Sequence, residues 1–495
     1  MKKIFTFILA SVTSMAAFAV GYTTAGDNSV YTFADLAKIA ESGVTVKKGT
    51  QIYTVSSDIE IAATDLLKLE SGDVVKLADA VEITVRGEAV FEPLSSAMIT
   101  RLDDLCEPKG INVKGDGSIV MRNVVYEYAQ IRTSATTSCR FKDCTFRYNG
   151  TKASTSGTLI LNNTDGTTSI ENCRFIEGAS SAISQAANAA HPLNIENCYF
   201  YHNTTENANR PQINISNPGA NGEHYIAGNM IIGDSNSTKV GGIAVSDLIG
   251  SNGGGKTIIL NNTVFNCRYG VTAMSASATQ MVLEGNSITH NCNETNPNNG
   301  GSGISIYGPV DVYATGNLIE GNLWGVTIIG KAGNVNFGKT DDPSAEDFNP
   351  GNNIFKNNGN GGVDYDFYNN SGNAVTCYAQ GNVWNVAEQD SVSVSKVVWD
   401  KYDTATLGEV IFVSANKTPS NVESVTQSSN NFTYDAQACE VKATNAAPIT
   451  VYSMTGTVAK MSSTPVVALK VDELVEGVYV ARNENTGDTV KFQKK

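Results

Sequence analysis

The sequence has no Cys-x-x-Cys motif, and its nine cysteines are an odd number. Structural zinc sites and disulfide-stapled scaffolds both rely on cysteines in close, paired spacings. The cysteine pattern therefore argues against both classes.

Basic residues are also scarce. The chain has 35 Lys and Arg against 49 Asp and Glu, which gives a formal net charge of −14. Binding to nucleic-acid phosphates needs a basic surface. The composition therefore predicts no nucleic-acid partner, although it leaves room for a local basic patch.

Long apolar runs are absent beyond the N-terminal segment, so we predict no transmembrane segment in the exported chain. At the N-terminus, Lys2 and Lys3 precede an apolar run, and Ala17 and Ala19 form a small-x-small cleavage site. This is the pattern of a secretory signal peptide. We therefore predict a signal peptide over residues 1–19, cleaved after Ala19.

Asparagine is nearly missing from the first hundred residues, which contain one, whereas residues 101–400 contain 42. Such a bias indicates a repeat, and three aligned columns recur about every 30 residues, a period typical of solenoids. The first column holds Asp143, Asn172, Asn197, Gly228, Asn261, Gly285, Gly316, Asn352 and Gly381. The second, one residue later, holds Cys144, Cys173, Cys198, Asn229, Asn262, Asn286, Asn317, Asn353 and Asn382. The third, two further on, holds Phe146, Phe175, Phe200, Ile231, Val264, Ile288, Ile319, Phe355 and Trp384.

Each column has a structural interpretation. The first contains only residues that tolerate positive φ, so it predicts a one-residue left-handed bend between two strands. The second predicts asparagines hydrogen-bonded from one repeat to the next, with Cys144, Cys173 and Cys198 as small apolar substitutes. A catalytic thiol is the less favoured alternative, because reactive cysteines lie exposed in electropositive surroundings. The third column is predicted to be core.

A third strand follows each triplet, in runs such as GGIAVS, GVTAM and GISIY. Alternation places Ile304 and Ile306 inside and Ser305 outside. Three strands and three turns per repeat predict a parallel β-helix. The predicted outward positions of the third strand are Ile160, Ser184, Asn214, Ala244, Thr272, Ser305, Thr327 and Asp364.

Over residues 45–415 the sequence resembles the right-handed parallel β-helix, or pectate-lyase-like, superfamily. The segments PGNNIFKNN, YAQGNVWN and VWDKYDTATLGEVIF are similar to the closing coils of extracellular β-helix proteins. The resemblance implies an all-β, right-handed solenoid. That fold hosts lyases, hydrolases, epimerases and adhesins, so the fold alone does not select a function.

A solenoid needs a cap at its open end, and residues 20–44 are predicted to supply it. The segment TFADLAKIAESG is predicted to be a helix with Thr32 as its N-cap. Phe33, Leu36 and Ile39 would form the apolar face that covers the first coil.

Residues 421–495 are predicted to form a small β-sandwich-like domain of antiparallel strands. This segment resembles the C-terminal sorting domain of type IX secretion in Bacteroidetes. The matching features are Tyr452 with Thr455-Gly456, Leu474 with Gly477-Val478-Tyr479, and the basic end Lys494-Lys495. The resemblance implies outer-membrane passage through that secretion machinery, often with removal of the domain. A sandwich that binds sugar or packs on the solenoid is the alternative.

Candidate catalytic residues lie in the loops that lead into the third strand. Arg210, Lys239 and Arg268 fall on three consecutive repeats, with Glu206 and Asp234 close by in sequence. A basic column could hold an acidic polysaccharide and supply the base for β-elimination of a uronate. Ordinary solvated loop charge is the alternative. No cluster of three Asp appears on the third strand, which counts against a polygalacturonase-like hydrolase.

A candidate glycan-binding patch consists of Arg147, Arg174, Tyr199 and Tyr201, which are predicted to point outward from adjacent rungs. Tyrosine beside arginine suits contact with a sugar ring or with another protein. The preference of such residues for an exposed β-strand face explains the pattern equally well.

One loop is dense in carboxylates that could bind Ca²⁺. Its acidic residues are Asp341, Asp342, Glu346 and Asp347. Their spacing fits no fixed Ca²⁺ loop, so a solvated loop is the alternative. Among the four scattered histidines, His202 and His290 share a column position three repeats, about 14 Å, apart and cannot share a metal.

Two functions are compatible with these observations. The first is a secreted or cell-surface solenoid that binds extracellular polysaccharide or another surface ligand without catalysis, which the shortage of charged outward residues favours. The second is a polysaccharide lyase-type enzyme that acts on an acidic glycan by β-elimination. Apart from the open question of Ca²⁺, the sequence predicts no cofactor.

Overall fold

The computed structural model describes residues 21–150, 157–187, 189–248, 250, 254–372, 375–413, 431–453, 458–462, 464–475, 477–486 and 488–494. The predicted signal peptide lies outside them. Most of the described strands belong to three long sheets, here called A, B and C, which the chain visits in that order. One visit to each sheet makes one rung. The fold is the predicted right-handed parallel β-helix.

The strand bounds follow the order of the rungs. Sheet A contains Tyr22–Thr23, Ile59–Ile61, Glu82–Val85, Gly110–Gly115, Gln130–Ala135, Gly157–Leu161, Ser181–Ser184, Ile213–Ile215, Ile243–Asp247, Val271–Ser275, Ser302–Tyr307, Trp324–Ile329, Phe367–Asn370 and Val398–Trp399. Sheet B contains Val30–Thr32, Leu66–Lys68, Glu88–Phe91, Ser118–Arg122, Arg140–Lys142, Thr168–Glu171, Leu193–Glu196, Glu223–Ala227, Lys256–Leu260, Thr279–Glu284, Val310–Thr315, Val335–Asn336, Thr376–Tyr378 and Glu409–Ile411. Sheet C contains Val44–Val46, Ile52–Val55, Val74–Leu77, Ala97–Arg101, Val124–Glu127, Thr145–Arg147, Arg174–Ile176, Tyr199–Tyr201, Met230–Ile232, Thr263–Phe265, Ser287–Thr289, Leu318–Glu320 and Ile354–Lys356.

The corner between sheets B and C is the predicted left-handed bend. All nine residues of the first column have φ between 53° and 69°. The third column lies in the core, where Phe175 stacks between Phe146 and Phe200 with ring centroids 4.9 Å apart on each side. The bend and the core stack therefore repeat together at every rung.

The second column forms the predicted asparagine ladder. The backbone N–H and the side-chain amide of Asn229 both donate to Oδ1 of Asn262, each at 2.9 Å. The same pair of bonds repeats from Asn262 through Asn286, Asn317 and Asn353 to Asn382. Cys144, Cys173 and Cys198 continue the column as buried free thiols.

A second ladder, which the sequence analysis did not identify, runs along the corner between sheets C and A. The backbone N–H of Asn291 donates to Oδ1 of Asn322 at 2.9 Å, and that of Asn322 donates to Oδ1 of Asn358 at 3.2 Å. The side-chain amide of Asn358 donates to the buried carboxyl of Asp366 at 3.0 Å. Burial raises the pKa of Asp366 to about 6.

The N-terminal helix is shorter than predicted. It spans Phe33–Leu36, and Thr32 caps it in a reciprocal capping box with Asp35, as the sequence indicates. Phe33 and Leu36 are buried. The Leu36 carbonyl accepts the Ile39 N–H at 3.0 Å, a tighter turn than the α-helix, and the hydroxyl of Ser42 at 2.6 Å. A 3-10 turn at Ala40–Ser42 follows.

The C-terminal part of the described chain forms two antiparallel sheets around its own apolar core. The smaller sheet contains Phe432–Asp435, Glu440–Ala447 and Val466–Lys470. The larger sheet contains Ile449–Ser453, Val458–Met461, Gly477–Asn483 and Thr489–Lys494. The remaining regular elements are the one-turn helix Ser391–Val394 and the hairpin of Gly359–Asn360 and Val363–Asp364.

The larger C-terminal sheet lies against the outer face of sheet C. Tyr452 interacts electrostatically with Arg174 and Tyr199, and Lys491 does so with Glu320 and Lys356. On the solenoid side, Ile232 and Thr289 point away from the core but are almost fully buried. Val480, on the outer face of the C-terminal sheet, is also buried. The C-terminal domain therefore covers part of sheet C.

The ladder predicts a large cost for removing one of its members. Asn286→Leu leaves the buried backbone N–H of Asn262 without its acceptor, whereas the Asn262 amide keeps the Ile226 and Leu260 carbonyls, and the unsatisfied donor costs about 1–3 kcal/mol. We expect thermal or denaturant unfolding to show this loss. Asn298→Leu at an exposed loop position is the matched control, and equal stability of the two variants would contradict the ladder.

Candidate functional site

One outward column of sheet A carries small side chains over six consecutive rungs. In-register pairing stacks its members, which are Ser184, Asn214, Ala244, Thr272, Ser305 and Thr327. Five steps of about 4.8 Å make this floor about 24 Å long. Together with Ile160, which pairs with Ser184, seven of the eight predicted outward positions are confirmed. We call this strip, with the loops beside it, the sheet A groove.

The eighth predicted position, Asp364, is wrong. A two-strand hairpin over residues 359–364 interrupts the coil before sheet A resumes, which shifts the register. Thr327 therefore pairs with Tyr368, which in turn pairs with Trp399. The small floor thus ends in two aromatic side chains.

Four aromatic residues cluster at this end of the groove. Trp324 lies 4.5 Å from Tyr365 and stacks at 5.3 Å on Tyr368, and Tyr365 lies 5.5 Å from Trp399, measured between ring centroids. The indole N–H of Trp324 donates to the Pro297 carbonyl at 3.0 Å, which fixes the ring. All four are half-buried. No repeat column predicts this cluster, although two of only three tryptophans in the chain belong to it.

Long loops rise along one side of the groove, at the corner between sheets C and A. They span residues 202–212, 233–242 and 290–301, whereas the connection over residues 177–180 is short. Because all three leave the same corner on nearby rungs, they stand side by side as a wall. Arg210 and Lys239 of the predicted basic column lie in this wall, and Arg268 lies at the same corner in the short connection over residues 266–270.

The two arginines of that column hold neighbouring loops in place through hydrogen bonds. Arg268 donates through Nε to the Asn299 carbonyl at 2.8 Å, and its guanidinium also donates to the Asn209 side chain. Arg210 donates through Nη1 to the Ser180 hydroxyl at 2.8 Å. A guanidinium keeps its proton in proteins, so neither arginine can serve as a base. Their positive charge still borders the groove.

Lys239 is the exposed member of the column. Its backbone N–H donates to Oδ1 of Asn207 at 2.8 Å, while its side chain has no partner within the described residues.

The two predicted carboxylates, Asp234 and Glu206, have different surroundings. Asp234 accepts the backbone and side-chain N–H groups of Asn236 at 2.9 and 3.1 Å, which stabilises its own turn. Oε1 of Glu206 is buried without a hydrogen-bond partner in the described part of the chain.

His202 lies on the same wall and was set aside by the sequence analysis. Its ring stacks on Tyr201 at a centroid distance of 3.8 Å, and Asp234 and Glu177 act on it from the neighbouring rungs. Burial lowers the pKa of His202, and the two carboxylates oppose this shift. The wall thus holds a titratable imidazole between two acids. The signal for it was the equivalent position of Glu177 and His202 in consecutive repeats.

A concavity opens at the other edge of the groove. It has a volume of about 540 Å³ and is lined by Leu248, Ser275, Tyr307, Pro309 and Lys331, among others. Leu248 and Tyr307 are 55% and 43% exposed, so both present apolar surface to solvent. This edge of the groove therefore carries an exposed tyrosine and a lysine, opposite the basic wall.

The predicted glycan-binding patch on sheet C is assembled but partly occupied. The Arg174 guanidinium lies 5.1 Å from the Tyr199 ring centroid, and Tyr199 stacks on Tyr201 at 5.9 Å. Arg147 forms an ion pair with Glu127. Tyr452 of the C-terminal domain interacts electrostatically with Arg174 and Tyr199, so the domain lies close to this patch.

The acidic loop directs its carboxylates to separate partners. Asp341 accepts the side-chain amide of Gln380 at 3.0 Å, Asp342 accepts two hydrogen bonds from Ser344, and Asp347 pairs with Lys339. Glu346 is exposed. Within the described ranges, no group of three or more acidic, histidine or cysteine side chains converges as a metal site.

Two further histidines form a buried polar network. His224 accepts the Leu193 N–H through Nδ1 at 3.1 Å and donates through Nε2 to the Ser216 carbonyl at 2.9 Å. His191 is hydrogen-bonded to the side chains of Gln185 and Thr168. Burial lowers the pKa of each imidazole to about 4. Both histidines are therefore neutral structural groups at neutral pH.

Comparisons with known proteins add little beyond the fold. No protein-family model and no curated protein matches the chain. The periplasmic alginate epimerase AlgG is similar over 78% of this chain and 83% of its own, with 12% identity and a TM-score of 0.39. The A-module of the Azotobacter vinelandii mannuronan C-5 epimerase AlgE6 is similar over 74% of this chain and 89% of its own, with 13% identity and a TM-score of 0.29. Identities this low concern the fold alone. The α-helices of the described chain have four residues each, and none is long enough to span a membrane.

The buried histidines predict a loss of stability in acid. Their pKa is lower in the folded state, about 4, than the ordinary value of about 6.5 in the unfolded state, so the unfolded chain binds more protons between these values. Stability is full above about pH 6.5 and falls by about 3 kcal/mol per imidazole on acidification to about pH 4. NMR titration should show both imidazoles neutral down to that range.

The loss of stability in acid should be smaller in a variant that lacks one of these imidazoles. In His224→Gln, the slope of melting temperature against pH between 6.5 and 4 should be smaller than in the wild type. Titration of His191 and His224 near pH 6.5, or an unchanged slope in the variant, would contradict their burial as neutral groups.

Proposed function

We propose that the protein is an exported solenoid that binds an extended polysaccharide along the sheet A groove without catalysis. The observation that carries this proposal is the floor of six small side chains that ends in Trp324, Tyr365, Tyr368 and Trp399. A flat, recessed strip about 24 Å long suits a chain of several sugar rings better than a compact ligand.

The polar and charged edges of the groove fit the same ligand. Aromatic faces that are half-exposed stack on sugar rings, and the partly exposed Ser184, Asn214 and Ser305 of the floor can bond to sugar hydroxyls. Arg210, Lys239 and Arg268 place positive charge along one edge of a protein whose net charge is −14. The ligand expected from this arrangement is an acidic polysaccharide, attracted by the edge and oriented by the aromatic end.

The groove is tested by removing its aromatic end. We expect Tyr368→Ala and Trp399→Ala to weaken binding of a uronate-rich polysaccharide about 2- to 12-fold each in affinity electrophoresis or calorimetry. Binding should also weaken with added salt, because exposed charges are screened within about 8–10 Å at physiological ionic strength. Tyr402→Ala, at an exposed tyrosine outside the groove, is the control. Equal binding by all of these proteins would exclude the groove.

A second candidate function is β-elimination by a polysaccharide lyase, which the free side chain of Lys239 favours. In this reaction a base removes the proton beside the uronate carboxylate, the bond to the leaving sugar oxygen breaks, a carbon–carbon double bond forms, and that oxygen takes up a proton. Lys239 would be the base, while Arg210 and Arg268 would neutralise the carboxylate. Glu206, Asp234 and His202 lie on the same wall as further acid or base candidates.

The same binding assay separates the two functions. A lyase releases new chain ends that absorb in the near ultraviolet, and Lys239→Ala should abolish them while leaving most of the binding. A binding protein retains the polysaccharide without forming such ends. The assay is run with and without Ca²⁺, because the acidic loop over Asp341, Asp342, Glu346 and Asp347 leaves a metal requirement to be measured.

Export is supported by the leader sequence, and type IX sorting by the resemblance of residues 421–495. Mass spectrometry of the protein recovered from the surface of its host should give a mature chain that begins at Val20. If the domain is a removable sorting signal, the mature chain also lacks residues 421–495. An intact C-terminus ending at Lys495 on a periplasmic protein would contradict sorting and favour a domain that stays docked on sheet C.

A further inference from the structure

A second concavity lies on sheet B, on a different face of the solenoid from the groove. Its volume is about 180 Å³. The residues that matter here are Gln280, Asp311, Tyr313, Asn336, Lys339 and Tyr378. Drug-sized ligands occupy about 300–1,000 Å³, so this cavity admits one small ring.

The register of sheet B sets the spacing of the two tyrosines. Tyr313 pairs with Asn336, which pairs with Tyr378, so the tyrosines stand two rungs apart on the same outward column. Their Cα atoms are therefore separated by about 9.6 Å. The shorter Asn336 between them, whose amide donates to the Asp347 carbonyl, leaves a gap between two aromatic side chains.

A firmly held loop closes one side of the cavity. Buried Asn349 donates its amide to the carbonyls of Ala314 and Asn336, both at 3.0 Å. Buried Gln380 accepts the Thr340 N–H at 2.8 Å and donates to Asp341. These bonds fix the loop that carries Lys339 and Asp347, so the cavity is built before any ligand arrives.

The polar groups of the cavity favour an uncharged ligand. Lys339 and Asp347 neutralise each other in an ion pair, and the Lys339 ammonium lies 4.7 Å from the Tyr378 ring centroid. Asp311 accepts the Asn334 N–H through Oδ1 at 2.7 Å, and its second oxygen has no partner among the residues that the structure describes. The exposed Gln280 offers an amide. One unpaired negative charge repels anions, whereas its oxygen can accept from sugar hydroxyls.

We propose that this cavity is a binding subsite for a single neutral pyranose unit, stacked on Tyr313 and hydrogen-bonded to Asp311 and Gln280. One face of Tyr378 carries the Lys339 ammonium, so Tyr313 supplies the stacking surface and Tyr378 closes the gap. Partly exposed tyrosines with adjacent hydrogen-bonding groups are suited to sugar rings. This inference does not depend on the groove, and it predicts a second carbohydrate contact that prefers a neutral sugar to an acidic one.

The test uses the full chain and methyl glycosides as probes. Neutral methyl glucoside, galactoside and mannoside are compared with a methyl glucuronide by saturation-transfer NMR and titration. At least one neutral glycoside should bind, and Tyr313→Ala and Asp311→Asn should each weaken it about 5- to 10-fold. Tyr313→Phe should retain most of the binding, because the ring remains.

Three controls make the result decisive. Tyr225→Ala removes a tyrosine from the same outward column on a rung away from the cavity, and it should bind as the wild type does. Tyr402→Ala, at an exposed tyrosine outside both the groove and the cavity, should also bind as the wild type does. Circular dichroism confirms folding of each variant. Absence of binding to every neutral glycoside, preference for the glucuronide, or binding unaffected by both Tyr313→Ala and Asp311→Asn would overturn the proposal.

Discussion

The stacking of one asparagine on the next at the corner between sheets B and C is the constraint on which the solenoid depends. A sharp bend buries backbone groups that must be hydrogen-bonded. Each ladder asparagine accepts two N–H groups from the asparagine of the preceding rung. Its own side-chain amide donates to a backbone carbonyl at the same corner, as that of Asn317 does to the Leu283 carbonyl at 2.9 Å. A slip of one residue would break every one of these bonds at once. The register of the strands is therefore fixed at one corner, and the strands of all three sheets follow it.

Because the ladder fixes the corner between sheets B and C, differences in loop length between rungs occur mainly at the other two corners. At seven of the nine predicted rungs the corner between sheets B and C is only two residues long, the bent residue and the ladder residue, and the acidic loop is inserted at the rung of Asn352. The corner between sheets C and A carries connections of very different length. Where those connections lengthen, the second ladder of Asn291, Asn322 and Asn358 restores hydrogen bonding. Long loops can therefore leave this corner without loosening the rungs, and they form the wall of the groove.

The sequence predicted what repeats and failed where the repeat is interrupted. The columns predicted nine bends, the ladder and the core stack, because each follows from the same physical demand at every rung. Asp364 was assigned wrongly because a local hairpin, held by its own pairing, displaced the register by a few residues. The aromatic end of the groove was missed for the same reason, since Tyr368 and Trp399 become neighbours only after that displacement.

Side-chain partners within the candidate site could not be predicted either. Sequence spacing placed Arg210, Lys239 and Arg268 on consecutive repeats, but it could not show that the arginines bind loop carbonyl, amide and hydroxyl groups while Lys239 stays free. Such partners come from loops on other rungs, as Asn209 does for Arg268 across 59 residues. Tertiary contacts therefore decide whether a basic side chain is available as a base or is held by hydrogen bonds to a loop.

The C-terminal domain links two predictions that the sequence treated as independent. The patch of Arg174 and Tyr199 was predicted to bind glycan, and the domain was predicted to be a removable sorting signal. In the structure, Tyr452 of the domain lies against that patch, and apolar residues of sheet C such as Ile232 are covered on the same face. While the domain is docked, the groove on sheet A and the cavity on sheet B are the faces open to ligands. Removal of the domain would expose apolar surface together with the patch, so the docked domain and a ligand cannot occupy this part of sheet C at the same time.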